Sequence, residues 1–194
     1  DWQHNRNMGT LLSTWGYTTV HEFFDGSHGG NDASGDPTPA MVSTAVNTGA
    51  SIFLYTGHGW DGGCVTSNYT SAEVASSTNN GKYPFAISVA CNNGTFTQGT
   101  CFAEEFVRAS NTSGPTGAIA CMGSSILMAW AEPMSTQDEI VDILTDQYVN
   151  NKKITLGGLF YNGEMKMLTD YMNTTADEVM KTWVFFGDPS CVMR

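Results

Sequence analysis

Two stretches, Ala50-Ser51-Ile52-Phe53-Leu54-Tyr55-Thr56-Gly57-His58-Gly59 and Phe85-Ala86-Ile87-Ser88-Val89-Ala90-Cys91-Asn92-Asn93-Gly94, decide the reading of this chain. Each is a short apolar run rich in β-branched and aromatic residues that stops at a glycine or Asn-Gly turn signal. A third run, Gly117 to Met122, has the same continuous apolar character. Such runs fit parallel strands covered on both faces better than half-exposed ones, so these three are expected at the sheet centre. Thr18 to Phe24 and Trp183 to Phe186 read as further strands. Helical periodicity falls between them, over residues 5–15, 38–48, 71–77, 101–110, 135–150 and 157–172. Alternating helices and strands with right-handed crossovers give an α/β fold, an open and mostly parallel sheet with helices on both faces. In such sheets the functional loops lie beyond the carboxyl ends of the strands.

That rule directs attention to the carboxyl ends of the first two strands. His58 stands at one such end between two glycines, and Cys91 stands at the equivalent end of the next strand. If the strands are neighbours, imidazole and thiol share one crevice. A histidine there can take the thiol proton or hold the thiolate as an ion pair, which makes sulfur a strong nucleophile near neutral pH. The amides of Gly59 and Cys91 are the expected donors to the oxyanion of a tetrahedral intermediate. His4, His21 and His28 have no partner at a telling spacing and read as surface or loop residues. Ser124 and Ser125 end a strand without a nucleophile-elbow motif and are expected to shape the cleft.

Composition narrows the alternatives. A chain of 194 residues with 41% hydrophobic residues is long enough for one core and one domain. Its formal net charge of −11 repels nucleic acid and anionic membrane surfaces. No run approaches the roughly 20 apolar residues that a membrane helix needs. The five cysteines, Cys64, Cys91, Cys101, Cys121 and Cys191, cannot all pair within the chain, and none forms a CxxC pair of the zinc-binding sort. Core or disulfide roles are expected for all but Cys91. The segment Asp25 to Pro37 only superficially resembles a calcium loop, because Gly29 offers no side-chain ligand and no Glu closes it. It reads as a solvated loop. Four Asn-x-Ser/Thr sequons point to secretion, to the extracellular space or a lysosomal or vacuolar compartment, with Asn68, Asn111 and Asn173 as expected glycan carriers. Asn93, two residues after the thiol, is expected to stay unmodified.

Taken together, Tyr55-Thr56-Gly57-His58-Gly59, Val89-Ala90-Cys91-Asn92-Asn93-Gly94, Cys101-Phe102-Ala103-Glu104-Glu105 and Phe185-Phe186-Gly187-Asp188-Pro189-Ser190 resemble the catalytic subdomain of gingipain-type cysteine peptidases. The Lys-specific branch looks most similar, and the resemblance runs from Asp1 to about Ser190. It implies a caspase-like α/β fold and peptide-bond cleavage, with His58 as base, Cys91 as nucleophile and Asp1 as the acid that orients the histidine. It further implies an S1 pocket with a tryptophan, matched by Trp130, and an acid, for which Glu132 is the nominee and Asp138 the reserve. Thr56 and Ser124 are expected to line the same cleft.

Because i and i+2 point the same way on an extended loop, Glu132 would share Trp130's side, and a basic P1 residue is expected. Residues 1–194 are then one catalytic subdomain of a zymogen-like precursor, which would supply an upstream segment and a cleaved N-terminal chain as partner. Thiol acyl transfer needs no cofactor. Structural calcium enters only through family sites that an upstream region supplies. Two alternatives use the same residues: a transpeptidase or ligase in which an amine replaces water, and an inactive peptide-binding scaffold whose cleft is crowded by a glycan on Asn93.

Overall fold

Helix and strand boundaries follow the local chemistry closely. The computed structural model describes all residues except Lys153 and Arg194. In chain order the elements are α1 (Trp2–Trp15), α2 (Pro39–Thr48), β1 (Ile52–Thr56), β2 (Gly59–Trp60), β3 (Gly63–Cys64), β4 (Tyr69–Thr70), α3 (Ser71–Ala75), β5 (Phe85–Val89), α4 (Phe102–Arg108), β6 (Ser110–Asn111), β7 (Gly114–Pro115), β8 (Ala120–Ser124), α5 (Ala131–Leu144), α6 (Leu156–Tyr171), α7 (Thr174–Thr182) and β9 (Trp183–Gly187). Pro39 starts α2 at a position whose N–H has no helical partner, and the Thr38 hydroxyl caps it by accepting from the Met41 amide. α3 opens on a reciprocal box between Thr70 and Glu73.

The main sheet has the order β1-β5-β8-β9, with the first three strands parallel and β9 antiparallel to β8. Alternate residues of β5 face opposite layers. Phe85, Ile87 and Val89 join Ala120 and Met122 under α5, α6 and α7, whereas Ala86 and Cys121 meet α2, α3 and α4. α1 lies on the α5 side, where Met8 and Leu12 pack with Val141 against Ile52 and Leu54. The expected two-faced, mostly parallel sheet is what forms.

Three expectations are corrected. Thr18 to Phe24 is no strand of the sheet and contributes only an isolated bridge, Glu22 with Asp32. The Asp32 carboxylate takes the amides of Phe24 and His28, and Arg6 ties down Glu22, so side-chain bonds occupy groups that a ladder would have used. Residues 25–36 are consequently a knitted loop, with Asp36 accepting from the Gly26 amide, and not a loosely solvated one. As a result β1 is an edge strand, and only β5 and β8 are central. α7 escapes the periodicity because it is nine residues long; its signal is Asn173, which caps it by accepting from the Ala176 amide.

Among the described residues, one core carboxyl has an oxygen without a partner. Glu164 of α6 is 4% exposed, its Oε1 has no hydrogen-bond partner, and burial pushes its pKa up to about 8. A raised carboxyl binds its proton more tightly when folded, so its penalty is absent below the unfolded-state pKa near 4.5 and complete above about 8. Glu164→Gln is therefore expected to leave stability near pH 4 unchanged and to raise it by up to about 4 kcal/mol at pH 9. Urea unfolding at the two pH values checks this; an equal effect at both would contradict it.

Candidate active site

The parallel register of β1 and β5 sets Thr56 beside Val89. His58 and Cys91 each lie two residues farther on, so the two side chains that the sequence singled out leave adjacent strands at the same level. The chain then turns sharply after each. Tyr55 Oη and the Val65 amide both donate to the His58 carbonyl, at 2.7 and 2.9 Å, which pins the backbone of an otherwise exposed histidine. Burial pushes the Tyr55 phenol up to about 12, so it stays protonated and available as that donor. After Cys91, Asn92 adopts a left-handed φ of 59°, a conformation that asparagine tolerates, and its amide bonds to the Ile126 carbonyl.

The half-buried Cys91 Sγ accepts from the Met128 amide at 3.3 Å. Gly59 packs so closely on the thiol's segment that a Cβ there would lie 2.6 Å from Ala90 Cβ and 2.9 Å from the Cys91 carbonyl oxygen. A glycine is thus required wherever the two candidate oxyanion amides, Gly59 and Cys91, are to come together.

Below this level runs a buried polar stitch that sequence reading missed. Gln137 of α5, fully buried, donates from Nε2 to the carbonyls of Tyr55 on β1 and Ile87 on β5, and its Oε1 accepts from Thr56 Oγ1 at 2.8 Å. It joins the two strands that carry His58 and Cys91. The signal was present: Gln137 lies three and four residues before the buried Ile140 and Val141, on the core-facing stripe of its helix. Gln137→Leu removes the bonds to two strand carbonyls and to the Thr56 hydroxyl from a fully buried position, and a loss of about 2–4 kcal/mol is expected in denaturant unfolding. A loss below about 0.5 kcal/mol would mean that the stitch contributes nothing.

Several expected roles change. Thr56 is buried and spends its hydroxyl on Gln137 and Asn5, so it supports the crevice from beneath and does not line it. Ser124 is 1% exposed; its hydroxyl bonds to the Ile126 carbonyl and its own carbonyl accepts from the Gly94 amide, which fixes the loops after β5 and β8 to each other. The Asp1 carboxylate accepts from Trp130 Nε1 at 2.6 Å, and the Trp130 ring sits 5.5 Å from the His58 ring at a 52° tilt. One indole thus contacts both the Asp1 carboxylate and the His58 ring.

Glu132 lies in the first turn of α5, where residues two apart point to different sides, and its carboxylate accepts from Asn173. The extended-loop argument that paired it with Trp130 fails on that geometry. Asp138, the reserve, faces His4 Nδ1 at 3.3 Å. His4 is consequently no ordinary surface residue, and His28 stacks on Trp2 at 4.3 Å.

The sequons divide as well. Asn93 is fully buried, donating to the carbonyls of Trp60 and Gly63 and accepting from Ser88, so folded protein offers no acceptor there. Asn111, too, has its amide bonded to Asn80 and Ser77. Asn68 and Asn173 are exposed. All five thiols are free, and Cys64, Cys101 and Cys121 are core residues of one cluster, where burial raises their pKa. Among the described residues no three His, Cys, Asp or Glu side chains gather as a metal site, and no helix is long and apolar enough to cross a membrane.

Known proteins share this architecture. Gingipain R2 of Porphyromonas gingivalis is 37% identical over 195 aligned residues, covering the whole of this chain and 25% of the relative. Gingipain R1 of the same species is also 37% identical, over 19% of its length. The chain thus spans about a quarter or less of these relatives. Among solved structures, the Arg-specific cysteine proteinase gingipain R (RGPB) superposes with a TM-score of 0.92 at 37% identity, over all of this chain and 43% of that one. The complex of the pro- and mature domains of Porphyromonas gingivalis RgpB superposes with a TM-score of 0.90 at 36% identity, over 44% of its chain. The model of peptidase family C25 matches residues 3–194, and the chain belongs to that family.

Proposed function

We propose that this chain carries the acyl-transfer machinery of a cysteine endopeptidase that acts outside the cell on protein or peptide substrates. The observation that carries the reading is the register: His58 and Cys91 stand two residues beyond the paired Thr56 and Val89 on adjacent parallel strands. Cys91 Sγ, having given its proton to His58, attacks the scissile carbonyl carbon, and the carbonyl oxygen becomes an oxyanion facing the amides of Gly59 and Cys91. His58 returns the proton to the leaving amine as the C–N bond breaks. Water, deprotonated by His58, then attacks the thioester, releasing the carboxyl product and restoring the thiol. This chemistry uses no cofactor. The relatives' greater length and the pro-domain in the RgpB complex support a precursor whose N-terminal portion is a partner of this chain. Burial of Asn93 removes the cleft-blocking glycan that favoured an inactive scaffold.

A basic P1 residue is part of the proposal. Trp130 offers an aromatic face, the carboxylate beside it is that of Asp1, and the net charge of −11 draws cationic peptides. An unpaired charge in a partly desolvated pocket is costly, so a cationic P1 side chain needs a carboxylate there. A P1-scanning peptide library is expected to show cleavage after Lys or Arg, reduced about tenfold or more by Asp1→Asn and unaffected by Glu132→Gln. Preference for an acidic or apolar P1 residue would overturn the specificity reading. A peptidyl chloromethyl ketone should label Cys91 and none of the other four thiols.

A further inference from the structure

The first turn of α1 sends three side chains toward the carboxyl end of the sheet: Asp1 to Trp130, His4 to Gln137 and Asp138, and Asn5 to Thr56. Hydrogen-bond chemistry fixes the proton positions at the middle one. The carbonyls of Tyr55 and Ile87 only accept, so Gln137 must turn its NH2 group toward them, at 3.0 and 3.2 Å. Its Oε1 is then the atom that faces His4 Nε2 at 3.0 Å. An amide oxygen also only accepts, so His4 carries a proton on Nε2. That leaves Nδ1 facing Asp138 Oδ1 at 3.3 Å, a contact that is attractive only while a proton lies between nitrogen and oxygen.

We propose that His4 is a positioning residue for His58 and Cys91, and that the proton it shares with Asp138 sets the strength of its hold. The proposal rests on the assignment of His58 and Cys91 as the reacting pair. His4 binds the stitch that joins their strands and belongs to the same turn as Asp1, whose carboxylate sets Trp130 beside the His58 ring. When the shared proton leaves, a lone pair on Nδ1 confronts a carboxylate. The turn loosens, and Trp130 loses its anchor.

The groups that face the pair are few. Besides Gln137 and Asp138 on α5, they are Asp142 one turn along and Lys166 on α6; Arg6 of the same turn is committed to Glu22. Burial raises the Asp138 carboxyl above its ordinary range, opposed by His4 and Lys166 and reinforced by Asp142, which favours retention of the shared proton. Asp138→Asn removes the requirement for that proton, because the NH2 group of the new amide can donate to a neutral Nδ1.

Two measurements test this. In protein labelled with 15N-histidine, the His4 ring, identified by its loss in His4→Gln, is expected to keep Nε2 protonated throughout a pH titration. In kinetics, the kcat/KM of Asp138→Asn relative to the unaltered enzyme is expected to be constant at acid pH and to rise severalfold at alkaline pH. A bare Nε2 on His4, or a ratio that does not change with pH, overturns the proposal. The tautomer is read without turnover and without the Asp138 variant, so it decides even if Asp138→Asn fails to fold. Failure of the reacting-pair assignment shows separately, as hydrolysis retained by Cys91→Ala.

Discussion

Cys91→Ala is expected to lower kcat by at least about four orders of magnitude, to the background of the uncatalysed site, while the far-UV circular dichroism and thermal midpoint remain those of the unaltered protein. The side chain is half-buried at the end of β5, and its sulfur makes one main contact, the Met128 amide at 3.3 Å. Truncation therefore removes the nucleophile without opening the core, whose buried members on this strand end at Val89 and Ala90. His58→Ala is expected to lose nearly as much, and the double variant no more than either alone, because the two residues act as a unit and their effects do not add. Additive losses in the double variant, or a Cys91→Ala protein that still cleaves peptides, would exclude Cys91 as the nucleophile. Burst kinetics with an activated ester should show one acyl group per chain in the unaltered protein and none in Cys91→Ala.

The largest stability effect is expected at Gly94, three residues past the nucleophile. A Cβ there would overlap the carbonyl oxygen of Gly123 and lie 2.6 Å from its carbonyl carbon. Both are backbone atoms of the central strand β8, which is hydrogen-bonded on both sides and cannot step aside. The same residue donates its amide to the Ser124 carbonyl at 2.8 Å, so the clash falls where the loop is tied to the strand. Gly94→Ala should cost about 3–5 kcal/mol in denaturant unfolding. Because Cys91 rides on this loop, the variant should also lose activity beyond what its folded fraction explains. By contrast, Gly99→Ala meets no atom within 4 Å and only carries the strain of a φ of 119°, so a smaller loss is expected there. Equal stability for Gly94→Ala and the unaltered protein would show that the two loops are not in the contact described.

How much was legible in the sequence differs between strand ends and side-chain networks. The runs ending at His58 and at Cys91 announced themselves, because continuous apolar character reports burial on both faces and glycine reports a turn, and both are properties of a few adjacent residues. From them alone came the α/β alternation and the placement of imidazole and thiol at strand ends.

What only the tertiary structure decided lies between residues far apart in the chain. Thr18 to Phe24 has the composition of a strand, yet Asp32 and Arg6 supply the bonds that a neighbouring strand would have offered, so β1 became the edge. Trp130 and Glu132 are two residues apart, and whether they face one pocket depended on the conformation at the start of α5. Asp1 meets Trp130 across 129 positions and His4 meets Gln137 across 133. A local pattern fixes which residues a helix buries, but the partner of a polar side chain is set by how α1 and α5 dock on the sheet. That docking is the sum of contacts along the whole chain, and no window of the sequence contains it.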